Sequence, residues 1–331
     1  MNRSLGDKTI HWPSERKKIW AYTRALLETD KFKRKRYGGR RRSHWTLFER
    51  SLQVFAVLLR ACGLYRRGVR NAKTIRVTEV PLAFDSLPAA FDGYRILHLT
   101  DLHLDCVPGM AELIRGGLQG LRYDLCLITG DLRRATHGGF RQIVTPLRTV
   151  ISALHAADGV VATLGNHDSY LMVSDLEKMG VRVLANESIA LQRGRARITL
   201  TGLDDPHYYY TDQVIVALEE AKEGFKIVMA HSPELYDMAL EHGYHFYICG
   251  HTHGGQICLP GGIPVITHLN NGRRLFRGLW HAGGMTGYTS QGCGSSGIPV
   301  RFNTRSEITL FTLRCGSSAR RGIRPDVQQG G

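Results

Sequence analysis

The stretch FYICGHTHGGQI, residues 246–257, is an apolar run that stops at Gly250 and then sets His251 and His253 one residue apart on a glycine-flanked loop. A lone H-x-H is weak evidence for any chemistry. Its meaning depends on whether other residues of metal-ligand type stand at the ends of other strands. Working outward, strands are expected at 74–82, 94–101, 125–131, 160–168, 196–205, 225–232, 246–251, 262–267 and 307–314. Helical patterns fit between them at 108–121, 139–157, 171–179, 212–223 and 233–242. Strands alternating with helices, several strands apolar throughout, indicate an α/β protein whose sheets are covered by helices.

Five of those strands finish in polar residues that can bind metal: Asp101-Leu102-His103, Gly130-Asp131, Gly165-Asn166-His167-Asp168, His231, and Gly250-His251-Thr252-His253. The carboxyl ends of strands in such a sheet share one edge, where ligands bind. Taken singly, a strand-end aspartate is more often a helix cap, and a lone histidine is more often a hydrogen-bonded core residue. Five endings in one sheet are hard to explain as independent caps and point to a metal site. Two divalent ions about 3.5–4 Å apart can clamp the attacking and departing oxygens of a phosphoryl transfer. Cations that close repel, so a carboxylate must bridge them, and Asp131 is placed to do so. The mixed oxygen and nitrogen donors suit manganese first, with iron, zinc, cobalt or magnesium as alternatives. The absence of cysteine from the set argues against a structural thiolate zinc site.

The ordered pattern D-x-H, G-D, G-N-H-D, H, G-H-x-H closely resembles that of the calcineurin-like metallophosphoesterases, over roughly residues 92–314. The resemblance implies a four-layer α/β/β/α sandwich with two ions held between loops at one sheet edge. The first ion would take Asp101, His103, Asp131 and His253, and the second Asp131, Asn166, His231 and His251. His167 would steady or protonate the leaving oxygen, and Asp168 would orient His167. The reaction implied is attack on phosphorus by a hydroxide bridging the ions, formed because they lower the pKa of bound water from 15.7 towards about 7.

The segments GHTHGGQICLPGG (250–262), GLDDP (202–206) and TSQGCGSSGIPVRF (289–302) resemble a branch containing membrane-associated phosphodiesterases and the UDP-2,3-diacylglucosamine pyrophosphatases of lipid A synthesis. Gln291 stands where that branch has a basic residue, and Leu132-Arg133-Arg134 follow the Gly-Asp turn where an acidic residue is usual. Arg133 and Arg134, with Asn166 and His167, are the expected contacts to substrate phosphate; for the two arginines a solvated loop is the alternative.

The net charge of +15 is concentrated at one end. Residues 1–76 hold 21 Lys/Arg against 5 Asp/Glu, whereas the remainder holds 23 against 24. Three regions follow: a basic extension over 1–73, a catalytic domain over 74–315 and a disordered tail over 316–331. In the extension, Phe48, Leu52, Phe55, Leu59 and Cys62 fall on one helical stripe. Arg60 ends the apolar run well short of the roughly 18 residues of a membrane span, and the layout is not that of a signal peptide. Two readings of residues 45–67 stand. The helix lies on an anionic membrane surface, or it packs on the domain and leaves a basic tail for solvent or nucleic acid. Seven scattered cysteines without C-x-x-C spacing argue for a reducing compartment, hence a cytoplasmic protein peripheral to the inner face of the cell membrane.

The leading expectation is a phosphodiesterase or pyrophosphatase acting on a lipid-linked or nucleotide-sugar substrate. The alternative is a soluble broad-specificity phosphodiesterase or nuclease that grips nucleic acid with its basic tail. A non-catalytic scaffold has no physical need for the whole ligand set. Oligomeric state is not legible.

Overall fold

The computed structural model describes residues 14–37, 39–221 and 224–316, with the side chains of Ser14, 35–46, Phe48 and Glu49 left undescribed. Most of the basic cluster at 31–42 and nearly all of the expected disordered tail therefore lie outside the described side chains. Three helices come first: α1 (Ser14–Tyr37), α2 (Gly39–Ala61) and α3 (Tyr65–Lys73). The chain then runs β1 (Ile75–Phe84), β2 (Arg95–Leu99), α4 (Met110–Gly117), β3 (Leu125–Thr129), α5 (Arg141–Ile151), β4 (Val160–Thr163), α6 (Val173–Lys178) and β5 (Val181–Val183). It continues with β6 (Glu187–Arg193), β7 (Ala196–Gly202), α7 (Gln213–Glu219), β8 (Phe225–Met229), α8 (Tyr236–Glu241) and β9 (Phe246–Cys249). The last strands are β10 (Gly278–Ala282), β11 (Met285–Thr289) and β12 (Ser306–Cys315).

The strands form two six-stranded sheets, ordered β1-β12-β2-β3-β4-β5 and β10-β11-β9-β8-β7-β6. β2, β3, β4 and β5 run parallel, as do β7, β8, β9 and β11. Successive strand residues face opposite ways, so each strand feeds two cores. Ile96, Leu125 and Leu127 of the first sheet meet Ile198, Leu200, Ile227, Phe246 and Ile248 of the second. Leu97, Leu99, Cys126 and Ile128 face outward against α4, α5 and α6, while Tyr247 and Cys249 face α7 and α8. This is the four-layer α/β/β/α arrangement, with Cys126 and Cys249 simply buried as core residues.

The expected strand at 262–267 does not form. Gly261 and Gly262 adopt positive φ, Pro264 lacks the N–H a ladder needs, and only an isolated bridge joins Cys258 to Pro264. The segment is instead an exposed loop carrying Leu259, Ile263, Val265 and Ile266. β5, β6 and the β10–β11 hairpin were not expected.

In α2, Leu52, Phe55, Ala56 and Leu59 pack on Ile257, Ile298, Val300 and Phe302. The stripe read as a membrane face is thus largely occupied by the domain, whereas Val54, Val57 and Leu58 on the other side are each more than half exposed. No helix among the described residues is long and apolar enough to cross a membrane.

Candidate metal centre

The five strand-end turns meet at one edge of the sandwich. Their backbone is unusual. Asp101, His103, Asp131, His251 and His253 all have φ between 37° and 75°, a region that L-residues other than Asn and Asp rarely occupy. The glycines beside them are fixed by contact: a Cβ on Gly165 would stand 2.2 Å from Asp131 Oδ1, and one on Gly250 2.3 Å from Asp101 Oδ2. Gly254 and Gly255 turn the chain at positive φ, and Gln291, Pro264 and Cys258 fill the space beside them.

Backbone carbonyls set the histidine tautomers. His103 Nδ1 lies 2.8 Å from the Arg133 carbonyl, His231 Nδ1 lies 2.7 Å from that of Thr129, and His251 Nε2 lies 3.2 Å from that of His268. A carbonyl only accepts, so each of these nitrogens donates and the other ring nitrogen points inward as a lone pair. His251 Nδ1 and His231 Nε2 then stand 3.1 Å apart, each 3.0 Å from Asn166 Oδ1. Three acceptors facing one another require a cation or a proton between them. Asp131 Oδ2 closes this group at 3.3 Å from His231 Nε2.

On the other side, His103 Nε2 lies 3.2 Å from His253 Nε2 and 3.5 Å from Asp131 Oδ2, and His253 Nε2 lies 3.4 Å from Asp101 Oδ1. That Asp101 oxygen is buried without a hydrogen-bond partner, as a metal ligand would be. Asp131 belongs to both halves. All seven expected ligands therefore converge in two groups sharing one carboxylate, and the donors fit a pair of divalent ions.

The electrostatics agree. Burial would lower the His231 pKa, but Asp131 and Asp101 push it up to about 10, the same pull that these carboxylates would exert on a cation. Burial would raise the Asp131 carboxyl, yet His231, His167 and His103 hold it well below its ordinary range. His251 and His253 are held neutral, first by burial and then by neighbouring positive groups.

The residues expected to act on substrate are placed differently from expectation. Asp168 does not orient the His167 ring: its carboxylate accepts from the backbone N–H groups of Asp131 at 2.7 Å, Leu132 at 2.9 Å and Gly165 at 2.9 Å. The ring is held by the Arg134 carbonyl at Nδ1, which leaves Nε2 facing Asp131 Oδ2 at 3.8 Å. Burial pushes the His167 pKa down to about 3, so the ring must take up a second proton before Nε2 can deliver one. Arg133 is buried and turned away from substrate space, donating to the His167 carbonyl at 2.8 Å and the Gly138 carbonyl at 2.7 Å. Arg134 is exposed beside the site.

Other residues of the site had no role expected of them. Arg301 is wholly buried and donates to the carbonyls of His253 at 3.1 Å and Gly294 at 2.6 Å, tying the second histidine loop to the loop after β11. His207, which the sequence marks as a histidine near the pocket without giving it a role, lies tilted against His251 with ring centres 4.7 Å apart and is held by Glu234 at 2.9 Å. The largest omission is α1. Trp20 Nε1 donates to Asp204 at 2.8 Å, and Arg24 pairs with the same carboxylate while reaching the Gly165 and Asp168 carbonyls. Its inward face is mostly charged, so no apolar periodicity betrayed it.

The model of the calcineurin-like phosphoesterase family matches residues 94–255, a span that takes in all five ligand turns. The metallophosphoesterase YkoQ of Bacillus subtilis is 28% identical over 277 residues, covering 79% of this chain and 98% of that protein. The phosphodiesterase YaeI of Escherichia coli is 26% identical over 233 residues, covering 66% of this chain and 82% of that protein. A bovine transmembrane protein with a metallophosphoesterase domain is 31% identical over 262 residues, 72% of this chain and 57% of its own length. With the ligand geometry and the similarity spanning the same turns, residues 94–255 form a calcineurin-like phosphoesterase domain and the chain is a metal-dependent phosphoester hydrolase.

Proposed function

We propose that the chain hydrolyses a phosphodiester or pyrophosphate bond in a lipid-linked or nucleotide-sugar substrate, of the class represented by UDP-2,3-diacylglucosamine, at a membrane surface. The observation that carries the hydrolytic part is the shared carboxylate: Asp131 Oδ2 stands 3.5 Å from His103 Nε2 on one side and 3.3 Å from His231 Nε2 on the other. Bound ions would supply an ionised water and positive charge for the phosphate. The chain's own part is to hold them: Asp101, His103 and His253 on one side, Asn166, His231 and His251 on the other. His167 stands on the exposed side, its Nδ1 fixed by Arg134, with Nε2 free to hydrogen-bond a departing oxygen. Arg134 is the arginine of the predicted pair that remains available to an anionic substrate.

The surface part is supported by the outer side of α2 and the turn into α3, where exposed Val54, Val57, Leu58 and Leu64 run among Arg50 and Arg60 of α2 and Arg66 and Arg67 of α3. Apolar side chains beside cations suit an anionic lipid interface. A second reading, a nuclease or broad phosphodiesterase, is favoured by a cavity of about 760 Å³ that Arg67, Arg76, Arg277 and Arg305 line, because such a cleft also suits a polyanion.

The test is a panel with Mn²⁺: a simple diester, a monoester, a diacylated UDP-sugar and single-stranded DNA. The proposal predicts hydrolysis of the diester and a preference for the diacylated substrate. It also predicts that Val54→Ser/Val57→Ser/Leu58→Ser abolishes flotation with anionic vesicles while diester turnover stays unchanged. Preference for DNA with steep salt dependence would replace it by the second reading.

A further inference from the structure

The loop Gly165–Tyr170 presents Asn166 and His167 to the site, and the far side of that loop is gripped by cations. Arg24 donates to the carbonyls of Gly165 at 2.9 Å and Asp168 at 3.2 Å. Lys31 Nζ donates to that of Asn166 at 2.7 Å, and Arg133 to that of His167 at 2.8 Å. Four consecutive carbonyls are thus held on one side of the loop. On the opposite side, the amides of Gly165 and His167 bond Asp168 and Asp131 at 2.9 Å each. Glu28 completes the grip at Ser169 Oγ and the Tyr170 amide, both at 2.8 Å. Trp20, Arg24, Glu28 and Lys31 are spaced by four, four and three residues, so they share one face of α1.

Lys31 is the member nearest the chemistry. Its ammonium sits on the Asn166 carbonyl and 3.8 Å from the centre of the Tyr208 ring, and its charge is felt at His167. Charge-assisted hydrogen bonds are about twice as strong as neutral ones. The peptide it pins joins Asn166 to His167, and its other end, the His167 N–H, is held by Asp131 Oδ1, so both ends of the link that carries the Asn166 carboxamide to His231 and His251 are fixed.

We propose that Lys31 of α1 is a positioning residue of the metal centre: by holding the Asn166 carbonyl it fixes the Asn166 side chain as a ligand of the second ion and sets the His167 ring beside it. The centre is therefore completed by a helix outside residues 94–255, the span shared with the family. This rests on the phosphoesterase reading only for its kinetic arm. Removing groups that orient metal ligands typically costs 10–100-fold in metal affinity or activity, and that range sets the expectation.

The test compares the full-length protein with Lys31→Met, Lys31→Arg and, as a control on the same helix, Lys18→Met. Each is stripped of metal, titrated with Mn²⁺ by calorimetry, melted, and assayed on bis-p-nitrophenyl phosphate at saturating Mn²⁺. In Lys31→Met the second Mn²⁺ should bind at least tenfold more weakly. Its kcat should fall at least tenfold, with KM changed by less than about threefold. Lys31→Arg should regain most of both, and Lys18→Met should match the parent. Parental Mn²⁺ affinity and kcat in Lys31→Met would overturn the assignment, as would losses that simply track the melting temperature and are no smaller in Lys31→Arg. Should Lys31→Met fail to fold, Lys31→Gln is read by the same criteria. If the parent binds two ions without cleaving the diester, the Mn²⁺ arm still decides the role of Lys31, and the substrate reading alone fails.

Discussion

Replacing Arg24 with leucine tests whether α1 is part of the catalytic fold. Arg24 is 1% exposed and Asp204 3% exposed, so their ion pair has no access to water. At that depth desolvation lifts the Asp204 carboxyl above its ordinary range in spite of Arg24, which marks the pair as costly to bury but more costly to break. Removing one partner of a buried pair destabilises by about 3–5 kcal/mol. The Gly165 and Asp168 carbonyls lose a charged donor as well, though solvent entering beside α1 limits that part. We expect about 4 kcal/mol in all. At about 2.1 cal/mol/K per residue, a chain of 331 residues has an unfolding entropy of roughly 0.7 kcal/mol/K, so 1 kcal/mol shifts the melting temperature by about 1.4 °C and Arg24→Leu should melt about 6 °C lower by scanning calorimetry in EDTA. Arg24→Leu/Asp204→Leu should recover part of the loss, because an apolar pair of suitable volume replaces buried charges well. A fall below about 3 °C, or no recovery in the double variant, would refute the docking of α1 on the catalytic loop.

Three further outcomes follow. His167→Ala should keep two ions by metal analysis while kcat falls by about 10²-fold or more, the usual range for a lost acid–base group, and most for poor leaving groups; loss of metal would make His167 a ligand instead. Because the His231 pKa stands at about 10 in the metal-free chain, metal must displace a proton, and Mn²⁺ affinity should rise about tenfold per pH unit from pH 6 to 8; a flat profile would contradict this. The same shift stabilises the metal-free fold below pH 6.5 and is lost as pH rises through about 10. Burial, only partly offset by Lys17, Arg16 and Arg182, pushes the Glu187 carboxyl up to about 7. A raised carboxyl costs stability progressively between pH 4.5 and 7, by at most about 3 kcal/mol, so Glu187→Gln should raise the melting temperature at pH 8 more than at pH 5.

What the sequence disclosed and what it hid divide along physical lines. The candidate metal ligands were legible because each follows an apolar strand and a sharp turn, which the fold brings to one edge. The β10–β11 hairpin escaped notice although Gly283-Gly284 is a two-residue turn signal. Residues 262–267 misled because an apolar run looks like a strand until Pro264 and the glycine pair before it are weighed. Helix α1 and Arg301 were invisible to hydropathy, since they act through guanidinium and ammonium groups on distant backbone carbonyls. Deleting residues 1–70 would therefore remove more than a surface-binding segment, because it would also strip Arg24, Glu28 and Lys31 from the catalytic loop. Asp168 and Arg133 bond backbone groups beside the candidate ligands rather than the His167 ring or open space for a phosphate.

Metal stoichiometry in the parent and Asp131→Asn bears most directly on the centre. Elemental analysis after loading with Mn²⁺ and desalting should give two ions per chain in the parent, fewer than one in Asp131→Asn, and diester hydrolysis only in the former. One ion or none in an active parent, or two ions in Asp131→Asn, would contradict a pair of cations joined by that carboxylate.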